Sequence, residues 1–269
     1  MWETWGRDLH RVCAAVHIAS ALGVLIAGLV MGVNTGRVVT VVALRNVSAL
    51  HEVSPPEVSL LTLIVLSGVV SGTAHAVLST RPADIDETMS GVNPYRWIDY
   101  AISSPMMVVV IALISGVVDV WALWGMAAMQ SLLMLVSGHI ESSLLYDAAA
   151  FRLAGVMCLY YVITVWGPVF HAIAAQPDVP AFVGWIIATL FLLFSSFGVV
   201  FFISMRSTEV RKTRIELAYA ILSIAAKLSL QWLLFGGTLS DKSQGMAVGI
   251  VLMIVVITSG VVGIVFGRA

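Results

Sequence analysis

Long apolar runs, broken by short polar stretches, fill almost the whole chain. Each run is near the roughly 20 residues a helix needs to cross the hydrocarbon core of a bilayer. The pattern predicts eight spans: Val12–Val33, Val58–Leu78, Trp97–Val117, Val120–Gly138, Ala148–Ile173, Phe182–Ile203, Glu216–Phe235 and Met246–Phe266. The third and fourth meet at a tight polar turn around Asp119. The first run is too long for a signal-peptide core and has no clear small-residue cleavage site, so it is read as a helix that stays. One loop departs from the pattern. Residues Arg37–Val53, RVVTVVALRNVSALHEV, are β-branched around a polar Arg45-Asn46 break and predict a short β-hairpin, packed on the bundle or on a second subunit.

Composition sharpens this picture. The 269 residues are 59% hydrophobic and 11% charged, with a mean hydropathy of +1.00. A soluble domain carries about 25% charged residues, so the chain is expected to be an all-α, multi-pass membrane protein. A net charge of −1 gives no sign of a nucleic-acid partner. Cys13 and Cys158 both lie in apolar runs, which predicts neither a disulfide framework nor a metal site. No Walker loop, HExxH, GxSxG or Cys/His metal spacing is present, and the loops leave no room for a soluble catalytic domain; no enzymatic activity is expected. Basic residues set the orientation. With the N-terminus inside, the inner segments hold Arg7, Arg11, Arg81, Arg96, Arg152, Arg206, Arg211, Lys212, Arg214 and Arg268, and the outer ones only Arg37, Arg45 and Lys242. The positive-inside rule therefore predicts a cytoplasmic N-terminus and, with eight spans, a cytoplasmic C-terminus.

Polar groups inside the spans are few: His17, Ser71, His75, Asp99, Ser103, Ser104, Gln130, Ser223 and Lys227. Lys227 lies near the middle of the seventh span, too deep to snorkel from either end, where a charge costs roughly 2.5–3.5 kcal/mol on insertion scales. Such a group persists only if it is paired, neutralised or covalently bonded. A desolvated neutral amine is nucleophilic and forms a Schiff base with an aldehyde. Ser223 precedes Lys227 by four residues, as Ser71 precedes His75 and Asp99 precedes Ser103, so three polar stripes can face one interior. Asp99 is the expected partner of Lys227, the alternative being a pair with Arg96 near the membrane surface. From spacing alone, a Schiff-base lysine and a structural ion pair between helices are equally good readings. His17 and His75 are either hydrogen-bonded core histidines or a hydrated, proton-holding cluster with Asp99. Phe191, Phe194 and Phe197 share a face, with Trp121, Trp124 and Trp232 in other spans; such stripes are more often packing than a chromophore box. His139, Glu141 and Asp147 read as solvated loop groups. In the last span Gly245-xxx-Gly249 and Gly263-xxx-Gly267 permit close helix contact, either within the bundle or between two copies.

Two stretches decide between the open readings: YRWIDYAISSPMM at Tyr95–Met107 and ELAYAILSIAAKLSLQW at Glu216–Trp232. Together with the Gly116–Glu141 segment, the two histidines and the loop, they resemble the heliorhodopsins, a distant family of retinal-binding microbial rhodopsins. The resemblance covers roughly residues 8–240. It implies a seven-helix rhodopsin-like bundle over 1–240, followed at 241–269 by an additional membrane helix. It implies all-trans retinal on Lys227 as a protonated Schiff base, with Asp99 as counterion. Ser223 and Ser71 would line the polar end of the pocket, Ser103, Gln130, Phe194 and Trp232 join the expected retinal contacts, and His17 and His75 form a proton-accepting cluster on the cytoplasmic side. An inverted orientation and a homodimer through the first outer loop are implied as well. The chain departs from the family in two ways: aspartate stands where the counterion is usually glutamate, and there is an eighth span beyond the usual seven.

Related proton pumps keep a carboxylate donor where this chain has Val110 and a second carboxylate where it has Ser223. The expected function is therefore light sensing, with helix rearrangement passed to an unidentified cytoplasmic partner through Arg206, Arg211, Lys212 and Arg214. The alternatives are light-gated or light-driven proton transport, which some viral members of the family perform, and a retinal-free transporter built on a Lys227–Asp99 pair.

Overall fold

The computed structural model describes residues 2–30, 36–38, 57–81, 93–142, 148–176, 179, 181–206 and 209–239. Among them are seven helices long and apolar enough to cross a membrane. They are α1 (Trp2–Val30), α2 (Leu60–Ser79), α3 (Pro94–Ile114), α4 (Val120–Ser142), α5 (Ala148–Ala174), α6 (Ala181–Ser204) and α7 (Glu209–Leu239). They coincide with the first seven predicted spans. Several run on past the apolar core into polar residues that hydropathy discounts, α7 by two turns before Glu216. The predicted eighth span lies outside the described residues, as does the expected hairpin turn around Arg45-Asn46. What is described of that loop is a pair of antiparallel strands, β1 (Gly36–Val38) and β2 (Glu57–Ser59), with Arg37 opposite Val58. This pairing closes the loop at its base, beside α2.

The helix ends follow local chemistry. Ser59 caps α2, its Oγ accepting from Thr62 N at 3.2 Å. Asn93 caps α3, accepting from Arg96 N at 3.0 Å, and Pro94 takes the first helical position, where a missing N–H costs nothing. Between α3 and α4 the chain reverses at Gly116, whose φ of +94° strains any residue with a Cβ. Gln176 braces this turn by donating to Ser115 O at 3.0 Å. Asp119 then caps α4, accepting from Ala122 N at 2.8 Å. The polar turn predicted around Asp119 is thus a helix stop followed by a helix start.

The bundle closes in sequence order, α1 on α2, α2 on α3, α3 on α4, α4 on α5 and α6 on α7, with α7 returning to α1 and α2. α7 and α3 are the enclosed helices, with 72% and 61% of their apolar windows buried, against 28% for α4 and α5. The chemistry-bearing residues of the two recognisable stretches therefore sit on the two most interior elements. Small residues set the spacing: a Cβ on Gly138 of α4 would fall 2.8 Å from the Trp97 side chain of α3. α5 carries one π-helical turn, Val162–Trp166, an insertion that frequently marks a functional wall. Its Trp166 meets Phe191 and Phe194 of α6 edge-on.

Candidate functional site

A cavity of about 250 Å³ lies between α3, α4, α5, α6 and α7. Its wall is overwhelmingly apolar, with Tyr100, Met107, Leu133, Tyr161, Phe194 and Phe197 among the lining side chains. The polar groups on it are sparse: Ser104 and Gln130, which bond to each other at 2.7 Å, Ser137, Ser195, Ser223 and Lys227. Lys227 is 3% exposed. Its Nζ donates to Ser223 Oγ at 3.0 Å, one helical turn back as the spacing requires. Asp99 Oδ2 is 4.0 Å from the same Nζ, and the Tyr100 ring lies 5.2 Å beneath it. The other oxygen of Asp99 accepts from Ser71 Oγ at 2.5 Å. Three helices thus converge on one amine: α7 supplies it, α3 the carboxylate and α2 the hydroxyl that steadies the carboxylate.

Beyond Asp99, toward the end of the bundle where α1, α3 and α7 begin, the histidines stack. The His17 and His75 rings are 5.7 Å apart and nearly parallel. His75 Nδ1 is 2.8 Å from Nδ1 of a third histidine, His10, on α1 two turns before His17. Both ring nitrogens of His17 and Nε2 of His10 are buried with no hydrogen-bond partner among the described residues.

Farther along lies a buried ion triad. Arg96 of α3 donates to Glu216 of α7 and, at 2.6 Å, to Glu141 of α4. Trp97 Nε1 donates to Glu141 at 2.5 Å, and Asn93 Nδ2 to Glu216 at 3.0 Å. The guanidinium lies 4.1 Å from the Tyr219 ring. Arg96 is accordingly bound to two glutamates, and the alternative pairing of Asp99 with Arg96 does not form.

A buried amine on an otherwise apolar cavity, with one carboxylate across from it, fits either an ion pair between helices or a lysine that carries an aldehyde group. A match to the Heliorhodopsin family spans residues 7–239. The chain belongs to the heliorhodopsin family. Comparison with curated proteins gives no match. As a heliorhodopsin it is an integral, multi-pass membrane rhodopsin, and its chromophore is retinal. The cavity fits that group by its chemistry: apolar walls, one amine, and one buried carboxylate to balance a cation at that amine.

The heliorhodopsin's expected contacts divide cleanly on this geometry. Lys227, Ser223, Gln130 and Phe194 line the cavity. Asp99 and Ser71 stand behind Lys227 rather than on the wall. Ser103 is fully buried with its Oγ unpartnered and is not on the wall; its neighbour Ser104, rotated about 100° round the helix, is. Trp232 is set apart from the cavity. It is 38% exposed, its ring against Gly23 and its Nε1 donating to Ser20 Oγ on α1 at 3.0 Å. Glu141, expected among solvated loop groups, is 3% exposed and belongs to the Arg96 triad. Sequence reasoning also passed over His10, hidden in a polar approach beside Asp8 and Arg11, and Gln231. Gln231 accepts from Ser20 Oγ at 2.5 Å and donates to Ile64 O at 3.1 Å, one turn beyond Lys227 on the side away from the histidines.

Proposed function

We propose that the chain is a light sensor in which all-trans retinal is bound to Lys227 as a protonated Schiff base, Asp99 is its counterion, and the N-terminus faces the cytoplasm. The observation that carries this reading is the Lys227 amine at the polar end of the cavity, 3.0 Å from Ser223 and 4.0 Å from Asp99. When bound, retinal supplies visible absorption and a light-driven change of shape. The protein's own residues do the rest. Asp99 balances the cation, Ser71 holds the carboxylate in place, Ser223 orients the nitrogen, and the Phe194 and Tyr100 walls exclude water. A displaced Lys227 would alter the contacts of α7 with α3, the most enclosed pair of helices, and so favour a second helix arrangement. A homodimer through the first outer loop and a cytoplasmic partner reading Arg206, Arg211, Lys212 and Arg214 complete the proposal. Of these, Arg206 has its guanidinium 4.6 Å from the Phe151 ring, linking the end of α6 to α5.

The histidine stack beside Asp99 favours a second reading, proton transport, which is taken up below. The sensing proposal is tested first by colour. Purified protein supplied with all-trans retinal should show a visible band, and Lys227→Ala should lose it while still folding. An unchanged band in that variant would refute the lysine linkage.

A further inference from the structure

Where α5 begins and α6 ends, the two helices meet through aromatic rings, and an arginine stands on each side of the seam. Phe151 of α5 and Phe202 of α6 are 5.2 Å apart and steeply inclined, and the Arg206 guanidinium lies 4.6 Å from the Phe151 ring. Arg152, the next residue on α5, is exposed, as is Arg206. Neither makes an ion pair among the described residues. A guanidinium laid over a ring keeps its N–H edge free for planar recognition of a carboxylate or phosphate. Each arginine also heads a stripe of apolar side chains that the described residues leave uncovered. On the Arg152 side of α5 the stripe is Val156, Leu159 and Ile163, and on the Arg206 side of α6 it is Val199 and Leu192, each more than half exposed. At the helical rise per residue the stripes run about 16 Å along α5 and about 21 Å along α6, close to one leaflet of a hydrocarbon core about 30 Å thick.

We propose that Arg152 and Arg206 form a seat for one anionic phospholipid, its phosphate bridging α5 and α6 and its chains lying along the two stripes. The charge of the seat selects a negative headgroup, and the stripes select an amphiphile over a soluble acidic peptide, which could reach the arginines but not the apolar side chains below them. The bound phosphate staples the ends of two helices that otherwise meet there through the Phe151 and Phe202 rings. The seat goes beyond the sensing reading and does not depend on retinal. Arg206 also belongs to the surface proposed for a cytoplasmic partner, so lipid and partner compete for it.

Native mass spectrometry tests the seat on protein released from nanodiscs of phosphatidylcholine with one tenth phosphatidylglycerol. The lipid retained by the wild type should be enriched in phosphatidylglycerol over the bilayer composition, about fivefold for each arginine engaged. Arg152→Gln combined with Arg206→Gln should return it to the bilayer ratio. Arg206→Lys should fall between, because an ammonium keeps the charge without the planar fork. Arg11→Gln removes the same charge from an exposed pair with Asp8 on α1 and should leave the enrichment intact. No enrichment in the wild type, equal enrichment in the double variant, or an equal loss in Arg11→Gln overturns the seat. Displacement of phosphatidylglycerol by excess inorganic phosphate overturns its assignment to a lipid. Thermal unfolding gives a second readout: in phosphatidylcholine alone the wild type and double variant should unfold together, and phosphatidylglycerol should raise the midpoint of the wild type only. An equal rise in both would overturn the staple.

Discussion

Asp99, the proposed counterion, has its two oxygens on different partners. Its Oδ2 stops 4.0 Å from Lys227 Nζ while Oδ1 receives Ser71 at 2.5 Å. The carboxylate is therefore anchored to α2 at hydrogen-bond length and faces the amine across a looser gap. A carboxylate near a chromophore's cationic end localises positive charge there and stabilises the ground state more than the excited state, in which that charge spreads away. Asp99→Asn should consequently shift the visible band to the red. It should also let the band bleach toward the near-ultraviolet at a lower pH than in the wild type, because an opposite charge favours the protonated cation. A spectral titration of both proteins reads both effects, and no change in either would place the counterion elsewhere.

At the scale of helices, Arg96 is the tie between α3, α4 and α7, and Trp97 and Asn93 reinforce it from the same turn of α3. Removing one member of a buried ion pair costs about 3–5 kcal/mol, because the remaining charges are stranded. Arg96→Ala should thus lower the thermal unfolding midpoint of the retinal-free protein in detergent sharply, and neutralising both carboxylates in the same background (Glu141→Gln with Glu216→Gln) should restore part of it. An unaltered midpoint in Arg96→Ala would mean that the triad contributes nothing to holding the helices together. This tie also marks where the sequence stops being legible. Lys227, Asp99, Ser223 and Gln130 stand out because a polar residue deep in an apolar run needs a partner, and four-residue spacing says which face it is on. Arg96, Glu141 and Glu216 sit within a turn or two of span ends, where hydropathy reads a buried ion cluster and a solvated loop alike. Ser103 and Ser104 differ by one step round α3, and Trp232 by its side of α7, distinctions that only the packing of neighbouring helices makes.

Across the whole molecule the polar architecture is lopsided about Lys227. Toward the end where α1, α3 and α7 begin run Asp99, the three histidines, a small cavity and Glu216. Toward the other end, Gln231 is held by Ser20 and Ile64 O across α1, α2 and α7, and a Cβ on Gly68 would fall 2.7 Å from its amide nitrogen, so the groups there are closely packed. Val110, where related pumps place a donor carboxylate, is fully buried in the apolar core. A pump must take up a proton from one side of the amine and deliver it to the other, whereas Asp99 and the three histidines lie on one side of it. Under voltage clamp, cells expressing the coloured protein should therefore give at most a transient charge displacement at light onset, of opposite sign at light offset. A stationary photocurrent that reverses with the proton gradient, or that persists at zero driving force, would require a continuous route past Gln231 and would make the protein a transporter. Its absence from a coloured, folded protein would leave a rearrangement of α7 against α3 as the output, as the sensing proposal requires.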